Sequence, residues 1–419
     1  MITGIQETTT SANNLEKCLK CTICTVYCPV TAVNADYPGP KQAGPDWERY
    51  RLKDDSYYHE SLRKCLNCKR CEVACPSGVR PADIIQAARI RYSCGSPSLR
   101  DRLLADTDFV GGIATRMAPV LNGILSLRPT KMLMDKIIGV DSHRCLPTYS
   151  SEKFTTWWKH NAEKNQHNFQ KHVSYFHGCY VQYNFPQLGR DFVKIMNAVG
   201  YGVHLLSDER CCGVAKIANG LIKEARHDAQ LNLEAVRRSV FQDRRTVIAT
   251  SSTCVLTMRD EYPELLEVAN ADVRAEINLA TRFLHTLVDR GDIKLVFRNY
   301  NKKVAYHTPC HMAKLGWGIH SIELLRMIPG LKLNVLRQEC CGMSGTYGFK
   351  KENYRYSQAI GQNLFNSISA VNPDVVATDC ETCKWQIEMS VHRTVMNPIS
   401  ILAEALDVCE TRKLNGVPD

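Results

Sequence analysis

Two four-cysteine runs near the N-terminus constrain this chain more than any other feature. Cys18, Cys21, Cys24 and Cys28 precede Pro29, and Cys65, Cys68, Cys71 and Cys75 repeat the same spacing before Pro76. At this spacing three thiolates can wrap one face of a cubane [4Fe–4S] cluster, while the fourth, before proline, points to the neighbouring cluster. The expected ligand sets therefore cross. One is Cys18, Cys21, Cys24 and Cys75, and the other Cys65, Cys68, Cys71 and Cys28. Zinc sites usually join two separated CxxC pairs and have no use for a fourth cysteine before proline. The expectation is two [4Fe–4S] clusters and electron transfer.

The whole chain has 20 cysteines in 419 residues, a density that calls for metal or redox chemistry. Residues 1–14 show no basic segment followed by an apolar run, no twin arginine and no lipidation motif. Cytoplasmic metal binding is therefore expected in place of a disulfide framework. A net charge of +10 suits anionic lipid or an acidic partner subunit, and equally suits a solvated surface. The basic residues form no arm or stripe, so nucleic acid is not an expected partner.

Residues 81–92 begin with proline and carry Ile84, Ile85, Ala88 and Tyr92 at helical spacing, closing a first domain over 1–95. Residues 96–165 read as an amphipathic linker. Within it, 109–127 have Arg116 as their only charge, but Gly111, Gly112, Pro119, Asn122 and Gly123 dilute the hydrophobicity needed to span a bilayer. Ile113, Met117, Val120, Leu121 and Ile124 instead make one helical stripe, and Leu133, Ile137 and Val140 a second. The expectation is peripheral contact with a membrane surface.

From about residue 170, short apolar strands alternate with amphipathic helices, which argues for parallel sheets. Strands are expected at 173–177, 203–206, 247–250, 304–307, 333–336 and 375–378. They form two sets of three, because Cys179 corresponds to Cys310, Cys211-Cys212-Gly213 to Cys340-Cys341-Gly342, and Cys254 to Cys383. The repeats cover 166–295 and 296–419. The fold class is thus α+β and multidomain, ending in a duplicated α/β domain with three parallel strands per repeat.

Every cysteine of interest in the repeats follows an expected strand, where the crevice beyond the carboxyl ends can gather distant side chains. The second repeat has five: Cys310, Cys340, Cys341, Cys380 and Cys383. The first has four, Cys179, Cys211, Cys212 and Cys254, with Ser251 or Thr257 where a CxxC pair needs its partner. Gly342, Gly345 and Gly348 are spaced as GxxGxxG, so they suit close backbone approach to a cluster at a helix N-terminus better than a nucleotide. His177, His307 and His311 flank Cys179 and Cys310. They suit a hydrogen bond to cluster sulfur, tuning of a quinone's protonation or core filling better than direct ligation. Cys94, Cys145 and Cys409 stand alone as ordinary thiols.

The double CxxCxxCxxxCP arrangement followed by two Cys-Cys-Gly repeats resembles the heterodisulfide reductase and glycolate oxidase iron–sulfur subunit family. Segments 37–54, 65–77, 340–354 and 378–390 carry the resemblance, which covers essentially the whole chain. The resemblance implies a helical ferredoxin domain at the N-terminus and an unusual, non-cubane [4Fe–4S] assembly in the five-cysteine repeat. The four-cysteine repeat either holds a fourth cluster or has lost it and serves as a quinone-facing or structural domain. The implied role is a relay that is not catalytic on substrate by itself, since nothing in the chain resembles a flavin fingerprint. Flavin-bearing subunits A and B of a complex would oxidise sn-glycerol 3-phosphate, and this chain would pass electrons to menaquinone at the cytoplasmic side of the inner membrane. Relatives acting on glycolate, lactate or a heterodisulfide are the alternative, as is an anchoring module whose clusters are structural.

Overall fold

A computed structural model describes residues 12–54, 56–92 and 97–418. Cys94 and the leader reading of residues 1–11 lie outside them. The two N-terminal cysteine runs each break into a loop and a four-residue helix, Ile23–Val26 and Arg70–Val73. Before those helices the backbone turns left-handed at Lys20 and Thr22 in one run and at Asn67 and Lys69 in the other. Left-handed backbone costs a non-glycine residue about 1 kcal/mol or more. Its recurrence at matching positions gives the two loops the same shape. The expected helix follows as Pro81–Tyr92, burying Ile84, Ile85 and Ala88.

A buried ion network ties this unit to the rest. Lys69 contacts Asp83 and lies 3.4 Å from Glu261, Lys314 lies 2.8 Å from Glu72, and Arg80 lies 2.5 Å from Glu264. Removing one partner of such a buried set typically costs about 3–5 kcal/mol. The N-terminal unit is therefore anchored to both repeats.

Four short helices follow: Leu99–Ala105, Thr107–Arg116, Ala118–Ser126 and Arg128–Ile137. The expected single stripe over 109–127 is split at Met117, where Pro119 opens a new helix. Among the described residues no helix is long and apolar enough to cross a membrane. Phe109, Ile113, Met117, Val120, Ile124 and Leu127 are all exposed, as are Met132, Leu133 and Ile137. Val140, expected on the second stripe, is instead buried past the helix end and bridges to Lys350.

The six expected strands are present, and each repeat adds a fourth. The first sheet contains β1 (Lys171–Phe176), β2 (Tyr201–Leu205), β3 (Val247–Ala249) and β4 (Ile277–Leu279). The second contains β5 (Lys303–Tyr306), β6 (Lys332–Val335), β7 (Val375–Ala377) and β8 (Val395–Met396). Both sheets are parallel, in the orders β2-β1-β3-β4 and β6-β5-β7-β8. The three-strand expectation missed β4 because Asn278 interrupts its apolar run, and β8 because it has only two residues. Val173, Tyr175 and Ile248 share one apolar cluster with Val304, Tyr306 and Val375, so the repeats pack into a common core. That core sets the carboxyl ends of both sheets, and the loops bearing the cysteines, close together.

Candidate metal centres

The N-terminal thiols interleave as their spacing predicts. Cys24 has Cys18, Cys75 and Cys21 as its thiol neighbours, whereas Cys28 lies by Cys68 and Cys65, and Cys71 by Cys68, Cys65 and Cys28. Each pre-proline cysteine thus sits with the other run. Burial pushes Cys24 and Cys28 up to about 11 and Cys71 well above the usual thiol range. A metal must displace those protons to bind, since the ligand is the thiolate. The two sets differ in depth: Cys21 is exposed, while Cys28 and Cys71 are buried.

In the second repeat Cys310 follows β5, the Cys340-Cys341 pair follows β6, and Cys380 and Cys383 follow β7. Cys383 is within hydrogen-bonding reach of Cys341 and Cys380. Cys340 is in reach of Cys310 and also of Cys68, and hydrogen bonds from those two thiols bring it down to about 5. The Gly342 N–H donates to Cys340 Sγ at 3.4 Å. Seven cysteines, Cys65, Cys68, Cys310, Cys340, Cys341, Cys380 and Cys383, line one cavity of about 790 Å3. The meeting of Cys68 with Cys310 and Cys340 has no signal in the sequence, because 242 residues separate the nearest of them. One expectation is corrected: Gly342 does not open a helix. Its loop runs into the short turn Tyr347–Phe349, and the long helix begins at Tyr354.

In the first repeat Cys211 Sγ lies 3.7 Å from Cys179 Sγ, and Cys212 is in hydrogen-bonding reach of Cys254. All four thiols converge. Ser251 stands where the fifth would be, since it caps helix Ser252–Leu256 as Cys380 caps Glu381–Val391. Its hydroxyl donates to Glu381 Oε2 at 2.9 Å and accepts from Cys254 N at 3.4 Å. Thr257 is instead bonded to Glu261 at 3.0 Å. Two carboxylates that the sequence did not mark crowd this set. Asp108 accepts from Cys211 N at 2.8 Å, and Glu209 accepts from His177 N at 3.2 Å and Gly178 N at 2.7 Å. Burial raises Asp108 to about 6 and Glu209 well above the carboxylate range. Thr253 Oγ1 lies 3.6 Å from Cys380 Sγ, so the two repeats' cysteine loops touch.

The histidines divide. His177 is held neutral by burial, its value lowered to about 4, with Nδ1 3.1 Å from Gly178 O and 3.2 Å from Glu209. His311 Nε2 lies 3.3 Å from Asn67 O. His307 is wholly buried, and neither ring nitrogen has a hydrogen-bond partner among the described residues. Leaving such a group unpaired costs about 1–3 kcal/mol. Among the described residues, no three His, Cys, Asp or Glu side chains are placed to hold a single metal ion. The donor chemistry, thiols gathered in sets of four and five, fits iron–sulfur clusters. Cys145 and Cys409 are exposed free thiols, away from any set.

Residues 14–79 match the family described as a 4Fe-4S dicluster domain, and residues 173–259 and 304–388 each match a cysteine-rich domain. Over 393 residues, 94% of this chain, it is 53% identical to the C subunit of anaerobic glycerol-3-phosphate dehydrogenase from Escherichia coli K12, covering 99% of that protein. The chain belongs to that subunit family. It is an iron–sulfur protein whose cysteine-rich domain is duplicated. More distant similarity reaches the B subunit of fumarate reductase (CoM/CoB) from Methanothermobacter marburgensis, 26% identical over 56% of this chain and 46% of that one. Lactate utilization protein A 1 of Bacillus mycoides is 27% identical over 58% of this chain and 99% of its own length.

Proposed function

We propose that the chain is the electron-relay subunit of an anaerobic glycerol-3-phosphate dehydrogenase, carrying electrons from two flavin-bearing subunits to menaquinone. The supporting observation is the succession of cysteine sets. From the set of exposed Cys21 it passes to the set of Cys65, Cys68, Cys71 and Cys28, of which Cys71 and Cys28 are buried. Cys68 then meets Cys310 and Cys340, and Thr253 joins Cys380 to the first repeat. Each set would hold one cluster, and a [4Fe–4S] cluster takes up and releases single electrons. The chain's own part is to hold thiolates at short separations, exclude water around the inner sets, and supply N–H donors such as those of Gly342 and Asn67 to sulfur. The substrate assignment rests on the relative at 53% identity, because the more distant ones carry the names of other oxidoreductases.

The linker helices would hold the complex on the membrane. Phe109, Ile113, Met117 and Val120 face solvent together with Arg116, Arg128 and Lys136. Nearby acids are engaged: Asp108 accepts from Cys211 N, Asp135 pairs with Lys351, and Asp106 caps its own helix at the N–H of Phe109. An outward face that is apolar and basic suits anionic lipid at the cytoplasmic side of an inner membrane.

The deciding experiment is anaerobic purification. Flavin-bearing subunits should co-purify with three to four clusters, roughly 12 to 16 irons, and near-stoichiometric zinc with little iron would end the relay reading. Cys28→Ser should damage the cluster of Cys65, Cys68 and Cys71; loss confined to the cluster of Cys18, Cys21 and Cys24 would refute crossed ligation. Ile113→Glu with Val120→Glu should release the protein from membranes with its iron intact. Continued attachment would remove the membrane role from this face.

A further inference from the structure

Beside the first-repeat cysteines lies a second cavity, of about 220 Å3. Cys179 and Cys211 reach its wall, but Cys212 and Cys254 do not, so it lies to one side of the thiol set and outside the space the four thiols enclose. The larger cavity is different: seven cysteines line it, so its volume belongs to the centres already described.

The walls of the smaller cavity come from the loops after β1 and β2, which bring His177, Asp208, Glu209 and Arg210 beside the two cysteines, and from three further elements. Helix Thr107–Arg116 supplies Asp108, helix Phe154–Asn161 supplies Thr155, and the turn Tyr180–Asn184 supplies Gln182 and Tyr183. The Gln182 amide is fixed in place, donating to Thr155 Oγ1 at 3.0 Å and accepting from Thr155 N at 3.1 Å. Helix Thr107–Arg116 faces two ways. Asp108 looks into the cavity, and the next residue, Phe109, stands exposed on the apolar face with Ile113. A molecule with a small polar ring system and a long apolar tail would find a fitting surface for each part within a few residues.

We propose that this cavity binds the quinone headgroup, with the isoprenoid tail running out over Phe109 and Ile113. The proposal rests on the relay reading above and places its exit. Its volume lies below the range that takes whole drug-sized ligands and suits a ring-sized head. The reaction there is a two-electron reduction. Both electrons originate in the reduced flavin of the partner subunits and would arrive singly through the iron–sulfur cluster that the first-repeat cysteines would hold. Two protons come from water, and the two ring carbonyls become hydroxyls with no bond formed to the protein. Gln182 and Thr155 are the hydrogen-bonding groups that would hold the ring. The four-cysteine repeat is then the one next to the acceptor.

The test uses the intact complex with its flavin subunits, anaerobically, with a prenylated 2-methyl-1,4-naphthoquinone as one acceptor and a water-soluble tetrazolium dye as the other. Thr155→Leu and Gln182→Leu should each lower quinone reduction by about tenfold, as expected for lost hydrogen bonds and a partly filled cavity. Dye reduction and iron content should not change. A photoreactive azido-naphthoquinone should label residues 180–184 in the wild type and label them less in the variants. Unchanged quinone reduction in both variants would overturn the site. If a variant loses iron, labelling of the wild type decides: modification at 180–184 supports the site, and modification only elsewhere overturns it. A wild-type complex that reduces the dye but no quinone would instead overturn the relay reading.

Discussion

After β7 the cap of the next helix is Cys380, whose side chain makes no capping hydrogen bond; after β3 it is Ser251, whose hydroxyl accepts from Cys254 N. Serine is among the best residues at a helix cap, worth about 1 kcal/mol over alanine. The second repeat gives up that stabilisation and places a thiol there, while the first keeps the cap and forgoes a fifth thiol. The order of the parallel sheets and the shared core are the same on both sides, although Gly213 caps helix Val214–Ala218 while the loop after Gly342 opens no helix. The fold therefore does not depend on the fifth cysteine. A repeat can change what it ligates without changing how it packs.

The largest test of that contrast is loss of a cluster. Cys383→Ser and Cys254→Ser should each remove about four irons and a distinct paramagnetic signal, leaving the N-terminal pair intact. If Cys254→Ser changes neither, the first repeat holds no cluster and the contrast is one of presence against absence. Next come the two glycines. Gly213 and Gly342 share a φ of 85°, so alanine at either carries the left-handed cost of about 1–2 kcal/mol. At Gly342 an added Cβ would also lie 2.0 Å from Ser357 O, whereas at Gly213 the nearest atom is 3.7 Å away. Gly342→Ala should therefore lower the melting temperature further, by an overpacking cost of about 1–3 kcal/mol. Equal effects would mean that the long helix at Tyr354 yields freely. Ser251→Ala should cost about 1 kcal/mol and no iron, while Cys380→Ala should cost iron.

The smallest effect is a dependence on pH. Burial lowers His204 to about 4, and its Nε2 lies 3.0 Å from Nδ1 of His172, also lowered chiefly by burial. The folded first repeat thus favours neutral imidazoles. Their contribution is complete above the unfolded value of about 6.5 and is lost as pH falls toward about 4. Melting followed between pH 7 and 4 should show this loss, and His204→Gln should flatten it.

The eight N-terminal thiols were legible in their spacing, and Cys28 and Cys75 lie near cysteines of the opposite runs. Six strands showed as apolar stretches, but β4 is interrupted by Asn278 and β8 is only two residues long. The exposed stripe of Phe109, Ile113 and Val120 was visible as a periodicity, though not its division at Pro119. Hidden entirely were groups whose role comes from tertiary approach: Asp108 on Cys211 N, Glu381 on Ser251, and Cys68 among the second-repeat thiols. Ordinary carboxylates in ordinary helices carry no local mark of the cysteine they will meet.

The buried cation of Lys69 has a consequence for how the chain comes to be made. Its acidic neighbour Glu261 and the lysine that meets Glu72, Lys314, are translated 192 and 245 residues after it. At 5–20 residues per second the first of these emerges roughly 10–40 seconds later. Through that interval the N-terminal loops exist without the walls that will cover them, and Cys68 lacks Cys310 and Cys340. Loading of iron into the inner sets is then expected to follow completion of the chain, so that ribosome-bound fragments ending before residue 261 would accumulate little stable iron.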